Sequence, residues 1–470
     1  MKVVVVGSGI GGISAAYHLV KDGHEVVLLE KEDYFGGHTY AIEVDGEPVD
    51  LGFMMFGDSN PNIKAWFKQF GITKEDGTTK TRIPMSLSVD SDIPGDIQFS
   101  SRKPFSSFWE LFSIKKWQVI YDIFKFTVDL LTMPVTSNIS TEEWAASGRY
   151  SKAFFRHYYL PFVSILWTVP KHDVMTLPAS QFLRCLKTHS NSLYIPLWQV
   201  ILGALGRRVD RPKHLWWYIG SAYKAPFLEY FESKGGVLKT NATATLVEEG
   251  GKAVVLASGE RIECDHVVLA SHADESAALL PWSKKNKLMD YYFHKSHMYV
   301  HRDESFLSKD KGAWSSWNVR IMDDDQYILT YWMNRIQHLK STDNVFVTIT
   351  PGDYKGRKPS NIVLDFPWDH PRRLVDCLPQ DDIIQEEGIT LSGAWLGRGF
   401  HEDGFVAGRR AAAIVNDKQH TKTVLYEDPG NIAVPAVPPF GMPLSVSTFF
   451  ASVAAAAAFG VYKAAEHYTK

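Results

Sequence analysis

The apolar positions fall into short runs and helical stripes whose order changes along the chain. Lys2 to Val6 (KVVVV) is a β-branched run suited to a strand buried on both faces of a parallel sheet. Gly7-Ser8-Gly9-Ile10-Gly11-Gly12 follows at once. Ile13, Ala15, Ala16, Leu19 and Val20 then recur at helical spacing, and Glu25 to Leu29 predicts a second strand that delivers Glu30 and Lys31. In that order a G-x-G-x-x-G reads as a dinucleotide turn. Gly7, Gly9, Gly11 and Gly12, with Ile10, let the backbone turn tightly, the helix start faces a pyrophosphate, and Glu30 accepts from a ribose.

Beyond Glu30 the pattern loosens. A loop with paired glycines, Tyr34-Phe35-Gly36-Gly37-His38-Thr39, leads into a hairpin-like alternation. Asp50 and Gly52, followed by Phe53, Met54, Met55 and Phe56, then read as a loop reaching over a ring. Pro61 to Phe70 predicts a helix and Met85 to Val89 a strand, but residues 57–230 lack a strand-helix-strand rhythm. Lys103 to Met133 is apolar and aromatic with interspersed lysines, and predicts a core helical hairpin, with a helix lying on a membrane as the alternative. Ser140 to Trp144 offers a capped helix start. Val237 to Leu246 alternates as a strand, and Asp265 to Ser271 is an apolar run ending in small residues. From Tyr291 to Phe366 mainly strands are expected, among them Met298–His301, Tyr327–Trp332 and Val345–Ile349.

A second glycine anchor stands near the carboxyl end. Ile389 to Ser392 reads as a strand, Gly393 to Gly404 (GAWLGRGFHEDG) as a turn, and Ala407 to Ala413 as a small-residue helix. Backbone amides and a helix start are again placed beside an anion.

Composition narrows the classes. Apolar residues at 45% and charged residues at 22% are ordinary for a globule, so disorder is not expected. A net charge of -3 without a basic stripe argues against a nucleic-acid partner. Cys185, Cys264 and Cys377 are too dispersed for a disulfide framework or a C-x-x-C metal site. His294, His297 and His301 have helical metal spacing but lie in a predicted strand, and no metal is expected. The strand at Lys2 leaves no room for a leader peptide ahead of the fold. The 14 Trp, 20 Tyr and 27 Phe read either as a large core or as the lining for a flat or long apolar ligand.

The segment Met1 to Phe56 resembles the amino end of FAD-dependent amine oxidoreductases, the group that holds amine oxidases, phytoene desaturases and protoporphyrinogen oxidase. GGHTY with VDLGFMMF resembles one subgroup, predicted NAD/FAD-binding proteins associated with cyclopropane-fatty-acid synthases. Trp314 to Asn318 and Thr330 to Asn334 resemble that subgroup's substrate-domain signatures. In many members an Arg follows the paired glycines and approaches the phosphates, whereas His38 stands here. The resemblance implies FAD held by Gly37, His38, Thr39, Gly52, Phe53 and Met54 besides the first turn. Around Gly393 it implies that Glu402 or Asp403 contacts ribityl or phosphate, while amides near Gly404 and Phe405 face the isoalloxazine. The implied fold is α/β: a discontinuous Rossmann-like FAD domain (1–58, 221–280, 385–416) with an inserted α+β substrate domain (59–220, 281–384). A linker, 417–443, then leads to Leu444–Tyr462, nineteen residues without a charge, just long enough for a membrane helix. That helix would make the protein membrane-associated, its catalytic domain facing the cytoplasm.

The chemistry expected is that of an FAD-dependent oxidoreductase: a desaturase, oxidase or double-bond isomerase acting by flavin hydride transfer on an unsaturated, lipid-like substrate such as a fatty acid. His401 is the candidate to hydrogen-bond flavin or move a proton. The alternatives are a flavin amine oxidase, in which Lys295 resembles in position the lysine that holds a water near N5, and a non-catalytic FAD-binding membrane accessory protein.

Overall fold

The valine run at the amino end becomes the middle strand of a parallel sheet. The computed structural model describes residues 1–57, 60–74, 82–132, 139–180, 182–183, 216–283, 288, 292–372 and 387–416. Two compact units result. The first comprises Met1–Ile83, Trp216–Lys295 and Asp369–Glu427. Its sheet uses β1 (Lys2–Val6), β2 (Glu25–Leu29), β3 (Val237–Lys239), β4 (His266–Leu269) and β5 (Ile389–Leu391), in the order β5-β4-β1-β2-β3 and parallel throughout. Val3 to Val5 are fully buried, as a strand covered on both faces requires.

Helix α1 (Ile10–Lys21) runs from the first glycine turn and packs along the helix that begins at the second, His401–Asn416. A Cβ on Gly408 would stand 2.3 Å from the Gly11 carbonyl oxygen and 2.6 Å from the Ala15 amide, so the two helices touch through backbone. Ser14 Oγ donates to the Phe405 carbonyl at 2.6 Å across the same seam. Both glycine anchors lie in this unit. Helix α2 (Pro61–Gln69), expected in the other domain, belongs here as well. Its Ile63, Trp66 and Phe67 are buried in one cluster with Tyr223, Phe227, Phe231 and Phe405. In this unit much of the aromatic excess is core rather than cavity lining.

The second unit comprises Pro84–Leu215, Ser296–Trp368 and Asp428–Lys470. Its seven-stranded sheet runs Ile362–Pro367, Ser296–His301, Phe346–Pro351, Tyr327–Trp332, Trp317–Ile321, Leu87–Ser91, Phe99–Ser100, antiparallel except between the strands at Trp317 and Leu87. Ser140 and Glu143 form the reciprocal cap that their spacing predicts. The Lys103–Met133 stretch is not a hairpin. Phe108–Phe112 is one 3-10 turn and Ile114–Thr132 one helix, which buries Val119, Ile120, Ile123 and Phe126. Phe108, Trp109, Phe112 and Ile114 stay exposed. Among the described residues no helix is long and apolar enough to cross a membrane, and Leu444–Tyr462 lies outside them.

Two buried imidazoles set a pH dependence in this unit. His301 is enclosed, its Nε2 on Thr348 Oγ1 at 2.7 Å and its Nδ1 accepting from the Asp303 amide at 3.0 Å, so a second proton would break a bond. His157 is equally buried, with neither ring nitrogen hydrogen-bonded among the described residues and Nε2 3.6 Å from Asp96. Burial pushes both from 6.5 to about 4. The unfolded chain takes up protons as pH falls below 6.5, and the folded chain does so only near 4. Stability present above pH 6.5 is therefore expected to decline through that window by up to about 1.4 kcal/mol per pH unit for each histidine. Urea midpoints measured across this range check it, and His301→Gln should flatten the slope.

Candidate flavin site

The first turn is built for close approach of a negatively charged group. Gly7 has φ +99°, and a Cβ there would lie 2.9 Å from the Ala270 carbonyl and the Ser271 amide at the end of β4. Gly9 starts α1 with no side-chain cap, and the first turn of the helix holds no acidic residue. A Cβ on Gly9 would meet nothing within 4 Å, so the space beside the helix start is open on that side. Gly37 closes on Gly9, a Cβ there falling 3.0 Å from the Gly9 Cα. Across the turn stands Ser392, fully buried, whose Oγ has no hydrogen-bond partner among the described residues and lies 2.8 Å from where a Gly11 Cβ would be. An uncapped helix start, open space and an orphaned hydroxyl fit the diphosphate part of a dinucleotide.

Glu30, buried at the end of β2, binds the Ser8 amide at 3.1 Å and Ser8 Oγ at 2.5 Å with one oxygen, and the Glu32 amide at 3.1 Å with the other. These bonds fix the carboxylate beside the turn with lone pairs left for ribose hydroxyls. Ser8 Oγ in turn accepts from the Gly36 amide at 3.0 Å, which ties the second glycine loop to the first.

Next to this turn lies a neutral aromatic and imidazole group. His401 stacks on Phe53, ring centroids 3.6 Å apart and 7° from parallel. Its Nε2 is 3.1 Å from the Tyr223 hydroxyl, which bonds Thr39 Oγ1 at 2.5 Å. Burial, with His38 adding, pushes His401 well below its ordinary value. His38 is pushed to about 4 by burial and by His272, and its Nε2 lies 3.1 Å from the Asp369 carbonyl. Both imidazoles are uncharged at neutral pH, so His38 does not supply the charge of the Arg it replaces.

Other expected site residues are engaged elsewhere. Glu402 does not face the turn: Oε1 takes the Asn62 amide at 2.8 Å and Nδ2 at 2.7 Å, and Oε2 the Ile63 amide at 3.0 Å, so this carboxylate caps α2. Asp403 accepts from the Phe400 amide at 2.9 Å and caps its own helix. Gly404 packs against Ile10, where a Cβ would meet the side chain at 2.6 Å. Gly393, with φ +153°, leaves room for the Trp395 indole, which donates to the Ser271 carbonyl at 3.2 Å. Lys31 pairs with Glu275 at 2.6 Å. Lys295, 71% exposed, pairs with Asp369 at 2.5 Å in a surface bridge, a poor setting for a catalytic lysine. Met54 is buried, and its carbonyl accepts from the Ile219 amide at 3.2 Å. Gly52 lies in the same bend between Leu51 and Phe53.

Sequence reasoning missed Ser8, Ser392 and Tyr223. Ser8 sits inside the motif, and its closeness to Glu30 was available from the strand-turn geometry. Tyr223 is 184 residues from Thr39 and 178 from His401, and no local pattern marks it.

Fold and site together define a dinucleotide-binding α/β protein with two glycine anchors. A model of the flavin-containing amine oxidoreductases matches residues 10–354. The chain belongs to that family, one of FAD-dependent enzymes. It is 28% identical over 297 residues to a 15-cis-phytoene desaturase of Solanum lycopersicum, which covers 60% of this chain and 48% of the relative. It is 47% identical over 55 residues to a 1-hydroxycarotenoid 3,4-desaturase of a Flavobacterium species, 12% of this chain and 11% of the relative. The chain spans about half the length of the phytoene desaturases it matches. The solved cyclohexylamine oxidase of Brevibacterium oxydans IH-35A superposes with a TM-score of 0.56 at 14% identity, over 88% of this chain and 98% of that one. At that identity the likeness is one of fold.

Proposed function

We propose that this protein is an FAD-dependent oxidoreductase or double-bond isomerase whose substrate is an unsaturated, lipid-like molecule such as a fatty acid. One observation carries the preference over amines. The carboxylates around the two turns, Glu30, Asp50, Asp369, Glu402 and Asp403, are all held by protein donors, while the aromatic and imidazole groups beside them are neutral. An apolar chain meets neutral rings there, with these carboxylates turned to their own protein donors. The names of the matched phytoene desaturase and hydroxycarotenoid desaturase support the same direction.

In this reading the amides after Gly9 take the pyrophosphate, Glu30 the ribose and Ser392 Oγ a phosphate or ribityl oxygen. Bound FAD supplies hydride and electron chemistry. Phe53 holds His401 in plane, Tyr223 fixes its Nε2, and His401 moves a proton or hydrogen-bonds the ring. His401→Ala is expected to lower turnover about a hundredfold. Tyr223→Phe keeps the ring stack but removes the bond to Nε2, and is expected to lower turnover about tenfold with FAD retained. Single-turnover kinetics on the flavin absorbance measure both, and unchanged rates would remove His401 from the mechanism.

Anaerobic titration decides the substrate class. Long-chain unsaturated fatty acids are expected to bleach the flavin or return an isomerised product, while polyamines and monoamines leave it unchanged. Peroxide release with amines alone would establish the amine oxidase instead, and a flavin reduced by neither class would point to the accessory protein.

A further inference from the structure

The second unit carries an apolar knob that the proposed reaction does not use. Within seven positions Phe108 is 49% exposed, Trp109 79%, Phe112 63% and Ile114 84%. The three rings pack on one another, centroids 5.5 to 6.4 Å apart. The core does not require them, because the helix that follows buries its opposite face through Val119, Ile120, Ile123 and Phe126. Large apolar side chains standing clear in one group are costly in water and mark a contact surface.

The surrounding charges indicate the partner. Glu110, the one carboxylate of the turn, is drawn inward by the buried Lys116 and by the Ser106 amide. Lys103, nearby in sequence, is neutralised by Asp310 at 2.7 Å. Lys115 is the charge presented next to Ile114, 46% exposed, its Nζ resting on the Gly95 carbonyl at 3.0 Å and 4.0 Å from the Asp96 carboxylate, which is itself only 9% exposed. We propose that the Phe108–Ile114 knob inserts into the interfacial zone of a bilayer containing anionic lipid, with Lys115 at headgroup level. Protruding rings suit a deformable apolar medium. Trp109 has the amphipathic shape that settles at the headgroup boundary. A cation beside the apolar residues, with no outward carboxylate, complements anionic headgroups. The inference stands apart from the substrate reading and fails separately from it, since it is read on vesicles without turnover.

The test partitions the full chain onto vesicles of phosphatidylcholine alone and of phosphatidylcholine mixed with phosphatidylglycerol, with solution mass measured in parallel. Wild type is expected to favour the mixed vesicles. The double variant Trp109→Ser, Phe112→Ser should bind both about tenfold or more weakly. Its melting temperature should be unchanged, because both side chains are exposed. Lys115→Glu should lose the preference for the mixed vesicles and keep binding to phosphatidylcholine. Equal binding by wild type and the double variant would overturn the proposal. So would a wild-type dimer that the double substitution dissociates without altering vesicle binding, which would make the knob an interface between copies. Tighter vesicle binding by the double variant would also overturn it, as the sign that residues 417–470 normally cover the knob.

Discussion

A Gly12→Val chain is expected to purify without bound FAD and with its first unit destabilised. A Cβ at this position would stand 1.9 Å from the Gly7 carbonyl oxygen and 3.2 Å from the Ala270 Cβ. Neither neighbour can retreat, because the Gly7 amide is bonded to the Leu29 carbonyl at 2.9 Å and Ala270 to the Val6 carbonyl at 2.8 Å. The turn must open, at a cost of about 3 kcal/mol or more. Gly9→Ala is the informative contrast. Its Cβ meets nothing within 4 Å and its φ of -60° is ordinary, so the fold should tolerate it within about 0.5 kcal/mol. FAD affinity should nevertheless fall, because the methyl enters the space above the helix start. The flavin-to-protein ratio and the melting temperature of the apoprotein separate the two effects. FAD binding in Gly9→Ala equal to wild type would place the diphosphate elsewhere.

Glu402→Ala is expected to destabilise the first unit by about 2–3 kcal/mol while leaving FAD bound at temperatures below melting. The buried carboxylate receives three donors from Asn62 and Ile63, and its loss leaves the start of α2 uncapped. Burial raises the Glu402 pKa while those donors pull the other way, so the carboxylate depends on them. Glu402→Gln keeps one acceptor and should fall between. Denaturant midpoints and the flavin ratio together decide the role. Loss of FAD at unchanged stability would return Glu402 to the flavin contact that its place in the carboxy-terminal motif implies.

Much of the first unit was legible because its signals are local. Four valines, a glycine turn and a helical stripe determine β1 and α1 almost independently of the rest of the chain. The run at His266 to Leu269 reads as a buried strand for the same reason. Lys103 to Met133 misled because apolar content alone cannot tell a hairpin from one helix with an exposed turn. The difference lies in which neighbours arrive from elsewhere. Glu402 shows a similar limit: a motif gives the residue's position, and the partner of a carboxylate depends on which amides stand within 3 Å.

By itself, the sequence determined the dinucleotide turn, the second glycine anchor and the order of strands and helices around them, while FAD was the cofactor that the family resemblance implied. The first three rest on periodicity or on glycine chemistry within about twenty residues. Only the tertiary structure decided that Gly408 seats its helix on Gly11 and Ala15, that Tyr223 joins Thr39 to His401, that Glu402 serves α2, and that Lys295 lies at the surface. Contacts of this kind link distant segments, Ser14 and Phe405 among them, 391 residues apart. Such pairings are set by packing and by the satisfaction of buried polar groups across the whole unit, which no local pattern encodes.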